Sequence, residues 1–548
     1  MSDDKEKKIE SKAKEAEKTE ASSTSAKAES VPKESAKAVP VSNDSEPPSK
    51  RKVAAPPKSK PTEKAGIAAH NSDNKRSGEY TLREGHGWAN AWKAAAGVGL
   101  LSLLASAAGY TMDPRRFAFS YLFAFMAVLT TALGMLFFVF LQHLTSSGWS
   151  VTVRRTAEIF SSALAIFALL FLPVYFLRGR LFPWIGGEAA SAVRAEASTT
   201  KTTGALVQGN PGNETPAAHA EHEQTGPAAS DEAVLAGRLA AAHGAKTTER
   251  EPTLNANERG EKGDPNELDE EHTLNSKRGY LNDTFFSIRA VIYFIIWGWL
   301  GWALFAKSVK QDTTRDPKLT VSMKRLSAGA AYLFGFSLTF ASFDWLMSLT
   351  PTWFSTIFGV YVFAGSAVAG YALLILATMG LRSSGILVKE INVEHYHDLG
   401  KMMFGFMIFW AYIAFSQFML IWYAAIPEET VWFHMRWDHG PWATVSLSLI
   451  ILNFIVPFFL IISRNTKRKL GILTFGAAWL LIMHFVDVYW LVMPSFGQDG
   501  FTFSWIDLTC LLGVGGIYLA VVFFRMSKTT LIPIGDPRLQ RALKFENA

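Results

Sequence analysis

Two aspartates stand at matching places in two apolar stretches of the chain. Asp344 lies seven residues before Pro351, and Asp487 lies seven residues before Pro494. His484 precedes Asp487 by three residues, which puts both on one face of a helix. Arg289 enters another apolar stretch, and Asp507 a fourth. An ionised side chain at the centre of a bilayer costs about 2.5–3.5 kcal/mol or more, so each such residue needs a partner or a task. Carboxylates and imidazoles exchange protons when burial brings their affinity toward neutral pH, so the chemistry on offer is proton handling. Asp344, Asp487, Asp507, His484 and Arg289 are expected to form one buried cluster. The structural alternative is an Arg–Asp pair that ties helices together, with the histidine as a hydrogen-bond donor. A second set, Glu158, Glu390, Glu394, His395, His397, Asp398 and Lys401, gathers at the ends of spans on the opposite side. It reads as a proton-collecting mouth or as solvated helix entries. Two histidines in His395-x-His397 are too few to call a metal centre, and none is expected.

The elements that must position these residues are transmembrane helices. A hydrocarbon core of about 30 Å needs about 20 apolar residues. Ten stretches qualify, at about 91–110, 117–141, 157–177, 284–306, 327–349, 354–381, 400–425, 443–463, 471–493 and 503–525. Pro351 favours a hairpin between the fifth and sixth. Seven helical residues span roughly 10 Å, so Asp344 and Asp487 sit at similar depth. Their spans are four helices apart and run in the same direction. This predicts a parallel repeat of spans two to five and six to nine, unless the short match is coincidence. Residues 1–85 and 186–280 carry few large apolar side chains and are expected to be disordered. The expected order is therefore a disordered tail (1–85), three spans (86–185), a disordered insert (186–280), seven spans (281–527) and a second tail (528–548).

Lys307, Lys310, Arg315, Lys318, Lys324, Arg325, Arg464, Lys467, Arg468 and Lys469 fall in two loops on one side of the predicted topology. The opposite loops 350–353 and 494–502 contain no Lys or Arg. The positive-inside rule makes both termini cytoplasmic and the 186–280 insert external. The net charge of +6 flanks apolar spans and marks no nucleic-acid site. The single Cys510 excludes an intrachain disulfide, an iron–sulfur cluster and c-type haem attachment. Of twelve histidines, His484 alone is expected deep in a span, which argues against bis-histidine haem. No Walker motif, dinucleotide fingerprint or nucleophile triad is present. The aromatic stretch 426–442 reads as an external loop, either an interfacial belt or a docking surface.

Three strings carry a family resemblance. The run from Phe343 to Tyr361, the run from Val393 to Phe404 with Phe409-Trp410-Ala411-Tyr412, and Trp422 to Glu429 resemble the ActF-like second quinone-type membrane subunit of bacterial alternative complex III. The resemblance covers roughly 85–185 and 280–530, leaving out the tail and the insert. It implies the broader NrfD-like, polysulfide-reductase membrane-subunit family, an all-α integral membrane fold of ten helices in two four-helix bundles plus peripheral helices. It further implies a non-catalytic subunit, without redox cofactor of its own, of a bacterial inner-membrane complex that oxidises quinol. The electrons would pass to cytochrome c or to a terminal oxidase. Implied partners are a paralogous quinol-binding membrane subunit, an iron–sulfur subunit, and multihaem and monohaem cytochrome c subunits. Quinone, haem c and iron–sulfur clusters would belong to those neighbours, and this chain would contribute a proton path, with Asp344 the best candidate for a shared acidic position. Two other functions fit the spans: a secondary transporter, against which the single deep Pro457 argues mildly, and a scaffold that docks external subunits.

Overall fold

The computed structural model describes residues 80–83, 85–185, 272–438, 440–497 and 503–546. Ten of its helices are long and apolar enough to cross a membrane: α1 (Gly87–Met112), α2 (Pro114–Leu144), α3 (Val151–Phe176), α4 (Asp283–Thr314), α5 (Pro317–Leu349), α6 (Phe358–Ser383), α7 (Val393–Ala424), α8 (Pro441–Ile461), α9 (Leu470–Ser495) and α10 (Trp505–Lys528). Local chemistry starts them. Asp113, Asn282, Asp316, Asn392 and Ser504 accept backbone N–H groups at the starts of α2, α4, α5, α7 and α10. Pro114 and Pro317 occupy first-turn positions where no N–H donor is needed.

Packing resolves the ten helices into two rings of four. α2, α3, α4 and α5 contact one another in order and close with α5 against α2. α6, α7, α8 and α9 do the same, closing with α9 against α6. The two rings meet where α2 crosses α6. There Gly134 and Gly370 let backbones touch: a Cβ on Gly134 would lie 1.9 Å from the Ser366 carbonyl oxygen. Small residues at such crossings are how helices associate in lipid. α1 and α10 form a peripheral pair, with Gly99 against Gly516 and Ile517. Outward faces carry large apolar side chains such as Leu101, Leu104, Trp422 and Phe459, each more than two-thirds exposed. Such faces have no place in water and fit lipid. The chain is a multi-pass, all-α integral membrane protein.

Several boundaries differ from expectation. α2 runs on to Leu144 and so takes in His143. α7 begins at Val393, seven residues earlier than its apolar core, because Asn392 caps it and charged residues occupy its first turns. α6 begins at Phe358, since the segment after Pro351 forms a turn. The 426–442 stretch is largely a short helix, Pro427–Trp437, with Pro427 in its first turn. The 1–85 tail and the 186–280 insert lie outside the described residues except for 80–83, 85 and 272–280. In the last of these, Lys277 donates to the carbonyls of Pro351 and Thr352 at 2.7 and 3.2 Å, fastening the end of the insert to the α5–α6 turn. Burial pushes the Lys277 ammonium below its ordinary value. The 528–548 segment is not a free tail through residue 546: Leu531 pairs with Tyr80, and Asn392 donates to Phe545.

Candidate functional sites in the two bundles

The five residues expected to cluster fall into three groups with different partners. In the first bundle, Arg289 from α4 grips Asp344 from α5 with two parallel bonds, Nη2 to Oδ1 at 2.7 Å and Nε to Oδ2 at 2.8 Å. Tyr293 adds a third bond at 2.7 Å. The remaining guanidinium nitrogen donates to the Tyr280 carbonyl at 2.9 Å, and the plane stacks on Tyr280 and Phe285. Each of the three guanidinium nitrogens donates a bond and the two charges face each other, so this is a helix clamp. The structural alternative for Arg289 is the one the geometry displays, and Asp344 shares it.

At the entrance to α10, Asp507 is fully buried. It accepts from Arg116 at 2.5 Å, from Ser120 at 2.5 Å and from the Ser504 backbone at 2.9 Å. The last contact is the return half of a capping box. Asp507 therefore ties α10 to α2 and belongs to neither of the other groups.

The second bundle holds a different arrangement. Asp487 from α9 is 2% exposed. It accepts a short hydrogen bond from the Tyr361 hydroxyl of α6 and one from Trp410 Nε1 of α7 at 3.2 Å. Among the described residues it makes no ion pair. His484, one turn away, meets Thr130 Oγ1 of α2 through Nε2 at 2.9 Å, while its Nδ1 has no hydrogen-bond partner. His484 lines a small cavity of ≈ 10 Å³ together with Asp487, Trp410, Asn453, Met407, Val368 and Gly365. That is room for about one water. Gly365 keeps the space open, since a Cβ there would lie 3.2 Å from His484 Nδ1 and 3.7 Å from Asp487 Oδ2. Asn453 arrives on a π-helical segment of α8, Leu449–Ile455, a local widening that often marks functional sites. Asp344 and Asp487 thus occupy corresponding helices of the two rings with opposite electrostatics: one is neutralised by a guanidinium, the other is bound by neutral donors alone.

On the opposite side, Glu158 is fully buried under charge of both signs. Arg154 and Arg155 donate to its two oxygens at 2.8 and 3.0 Å, and His143 Nε2 stands 3.6 Å away. Arg154 reaches on to Asp536 at 2.7 Å and Arg155 to Asp312 at 2.8 Å. Asp536 lies beyond α10. Burial opposes its ionisation, but Arg154 and Arg538 outweigh burial and hold its carboxyl well below the usual range. The network fastens the C-terminal segment over the bundle and leaves Glu158 enclosed, not at an open mouth. The α7 residues are likewise engaged. Glu394 pairs with Arg468, His395 closes a capping box by accepting the Asn392 backbone N–H at Nδ1, 3.3 Å, and Lys401 pairs with Asp398 at 2.6 Å. His397 Nδ1 is 3.8 Å from Asp398. Lys401 alone of these keeps about half its side chain exposed. Among the described residues no group of three or more His, Cys, Asp or Glu is placed to hold a metal ion.

The participants that sequence did not single out include Tyr361, Trp410, Thr130 and Arg436. Tyr361, Trp410 and Thr130 are uncharged, and nothing local to them signals a partner on another helix. Arg436 stands in the aromatic stretch 426–442. It is fully buried, stacked on Trp432 at 3.7 Å, and donates to the carbonyls of Trp432, Trp490 and Leu491. Burial pushes its guanidinium down to about 9, so it stays charged at neutral pH. It pins the short helix to the end of α9. Its high cost of burial is a signal only once its side chain is seen to be buried.

No protein-family model matches the chain, and no curated protein matches it.

Proposed function

We propose that the chain is a membrane subunit of a quinol-oxidising respiratory complex of the alternative complex III type, and that its own contribution is a proton relay in the second bundle. The observation that carries the relay is Asp487. It is buried, bound by Tyr361 and Trp410, without an ion pair among the described residues, and it shares a water-sized cavity with His484, whose Nδ1 is unsatisfied. An isolated buried carboxylate is costly when ionised. Its protonation can change without breaking an ion pair, which is not true of Asp344, Asp507 or Glu158. With a water in the cavity, Asp487 and the His484–Thr130 pair would form a short chain of exchangeable groups from α9 to α2.

The complex is inferred from the resemblance of residues 343–361, 393–404 and 422–429 to alternative complex III membrane subunits. On this proposal the chain resides in a bacterial inner membrane with cytoplasmic termini, as its Lys and Arg distribution favours. The relay lies in the external half, beside iron–sulfur and cytochrome c subunits and a paralogous quinol-binding subunit. The short helix Pro427–Trp437 offers them a docking surface.

Asp487→Asn tests the relay in the purified complex reconstituted into vesicles. The substitution keeps the shape and one acceptor oxygen. Quinol oxidation should persist in part while coupled proton movement is lost. Unchanged proton movement would remove the basis for the relay and leave a scaffold role. One observation favours a transporter as the second reading: α8 is irregular over Leu449–Ile455 beside Asn453 and Pro457. Saturable solute uptake by the chain alone in liposomes would establish that reading.

A further inference from the structure

A larger chamber adjoins the Asp487 site without being part of it. It has a volume of ≈ 460 Å³ and lies between α7 and α8, roofed by the short helix Pro427–Trp437. Ligand sites typically occupy about 300–1,000 Å³. Ala411 and Ala414 leave space on the α7 wall, and Trp432, Phe433, Phe418 and Trp437 supply aromatic surface. Phe415 and Ile450 line the chamber and are 61% and 43% exposed, so its mouth opens on the apolar outer face of the bundle.

The chamber wall carries a buried polar side chain with a free donor. Gln417 is 4% exposed, and its amide nitrogen has no hydrogen-bond partner. Three nearby donors are spent. Trp410 Nε1 goes to Asp487, Trp490 Nε1 goes to Ser446, and the Ser446 hydroxyl goes to the Arg436 carbonyl. A buried amide donor left unpaired is costly, and native proteins retain few of them.

We propose that this chamber is a binding site, entered sideways from the bilayer, for an amphiphile whose head presents a carbonyl oxygen to Gln417. The apolar tail would leave between Phe415 and Ile450. A fatty-acyl ester of a phospholipid and the ring carbonyl of a lipid-soluble quinone share this chemistry. The site is independent of the proton relay, although Tyr361 and Trp410 form the wall common to both.

The test is photo-crosslinking of the full chain in lipid nanodiscs. The two probes are a phosphatidylcholine with a diazirine beside its ester and an azido-substituted benzoquinone with an alkyl tail, followed by peptide mapping. Saturable adducts are expected on residues 410–418 or 432–437, competed by the unlabelled compound. Labelling by one probe alone identifies the source of the carbonyl. Gln417→Leu should lower the yield below saturation about tenfold, the effect of one lost hydrogen bond. Ala414→Phe should abolish it, while adducts on the exposed face of α1 remain as an internal control. Ala411→Leu serves in its place if Ala414→Phe misfolds. Absence of adducts there with both probes, or yields unchanged by Gln417→Leu and by the filling substitution, overturns the proposal. Asp487→Asn should leave the labelling unchanged, so failure of the relay and failure of this site are told apart.

Discussion

Asp344→Asn and Asp487→Asn are the same chemical change at corresponding places in the two bundles, and they should have opposite consequences. At Asp344 the change removes the carboxylate that faces Arg289 and turns a two-bond charged fork into contact with a neutral amide. Arg289 is 6% exposed, so water cannot replace what is lost. Breaking a buried pair in this way costs about 3–5 kcal/mol. At about 1.4 kcal/mol per decade, that is roughly two to nearly four decades in the folded-to-unfolded ratio. At Asp487 an asparagine oxygen can still accept from Tyr361 or Trp410, and no cation is orphaned, so the cost is that of a weakened hydrogen bond, about 0.5–1.5 kcal/mol. Denaturant unfolding of the detergent-solubilised chain, followed by tryptophan fluorescence, measures both. A double-mutant cycle with Arg289→Met isolates the coupling. Equal, small effects at the two positions, or no coupling between Arg289 and Asp344, would refute the assignment of one acid to structure and the other to chemistry.

Gly134→Ala should destabilise the junction of the bundles by at least about 1–3 kcal/mol, because the new methyl meets the Ser366 carbonyl and no flexible side chain can yield; an unchanged unfolding midpoint would deny the close α2–α6 crossing. Gly365→Ala should fill the cavity beside His484 while costing less than about 1.5 kcal/mol, since a Cβ there meets nothing closer than 3.2 Å. Proton movement in reconstituted vesicles should fall as in Asp487→Asn, and normal movement would show that the cavity carries no proton. Acid should release the C-terminal segment. Asp536 has a folded pKa below its unfolded value of about 3.9, so its contribution is complete above about pH 4 and is lost as pH falls through the lower folded value. Proteolysis of residues 529–546 as a function of pH should show this limb, and Asp536→Asn should flatten it.

Much of the fold could be read along the chain. All ten spans were legible because lipid imposes one rule on every stretch that crosses it: about 20 apolar residues with backbone bonds made within the helix. The spacing of Asp344 and Asp487 from their prolines pointed to the pairing of α2–α5 with α6–α9, since helical depth is a linear function of residue number. Helix starts were less legible, because Asn392 carries α7 well into polar sequence, where hydropathy gives no signal. The charges themselves could be located but not paired.

Tertiary structure decided the pairing. Whether a buried acid meets a guanidinium or a phenol depends on how helices are rotated about their axes, and that rotation is set by contacts between residues far apart in sequence. Arg289 and Asp344 are 55 residues apart, Tyr361 and Asp487 126, and Arg154 and Asp536 382. The sequence alone determined that the protein spans a membrane and that charge lies within the spans. Only the packed structure separated a neutralised clamp from an acid without a counter-charge, because Coulomb energy and desolvation depend on distances of a few ångströms that no residue spacing specifies.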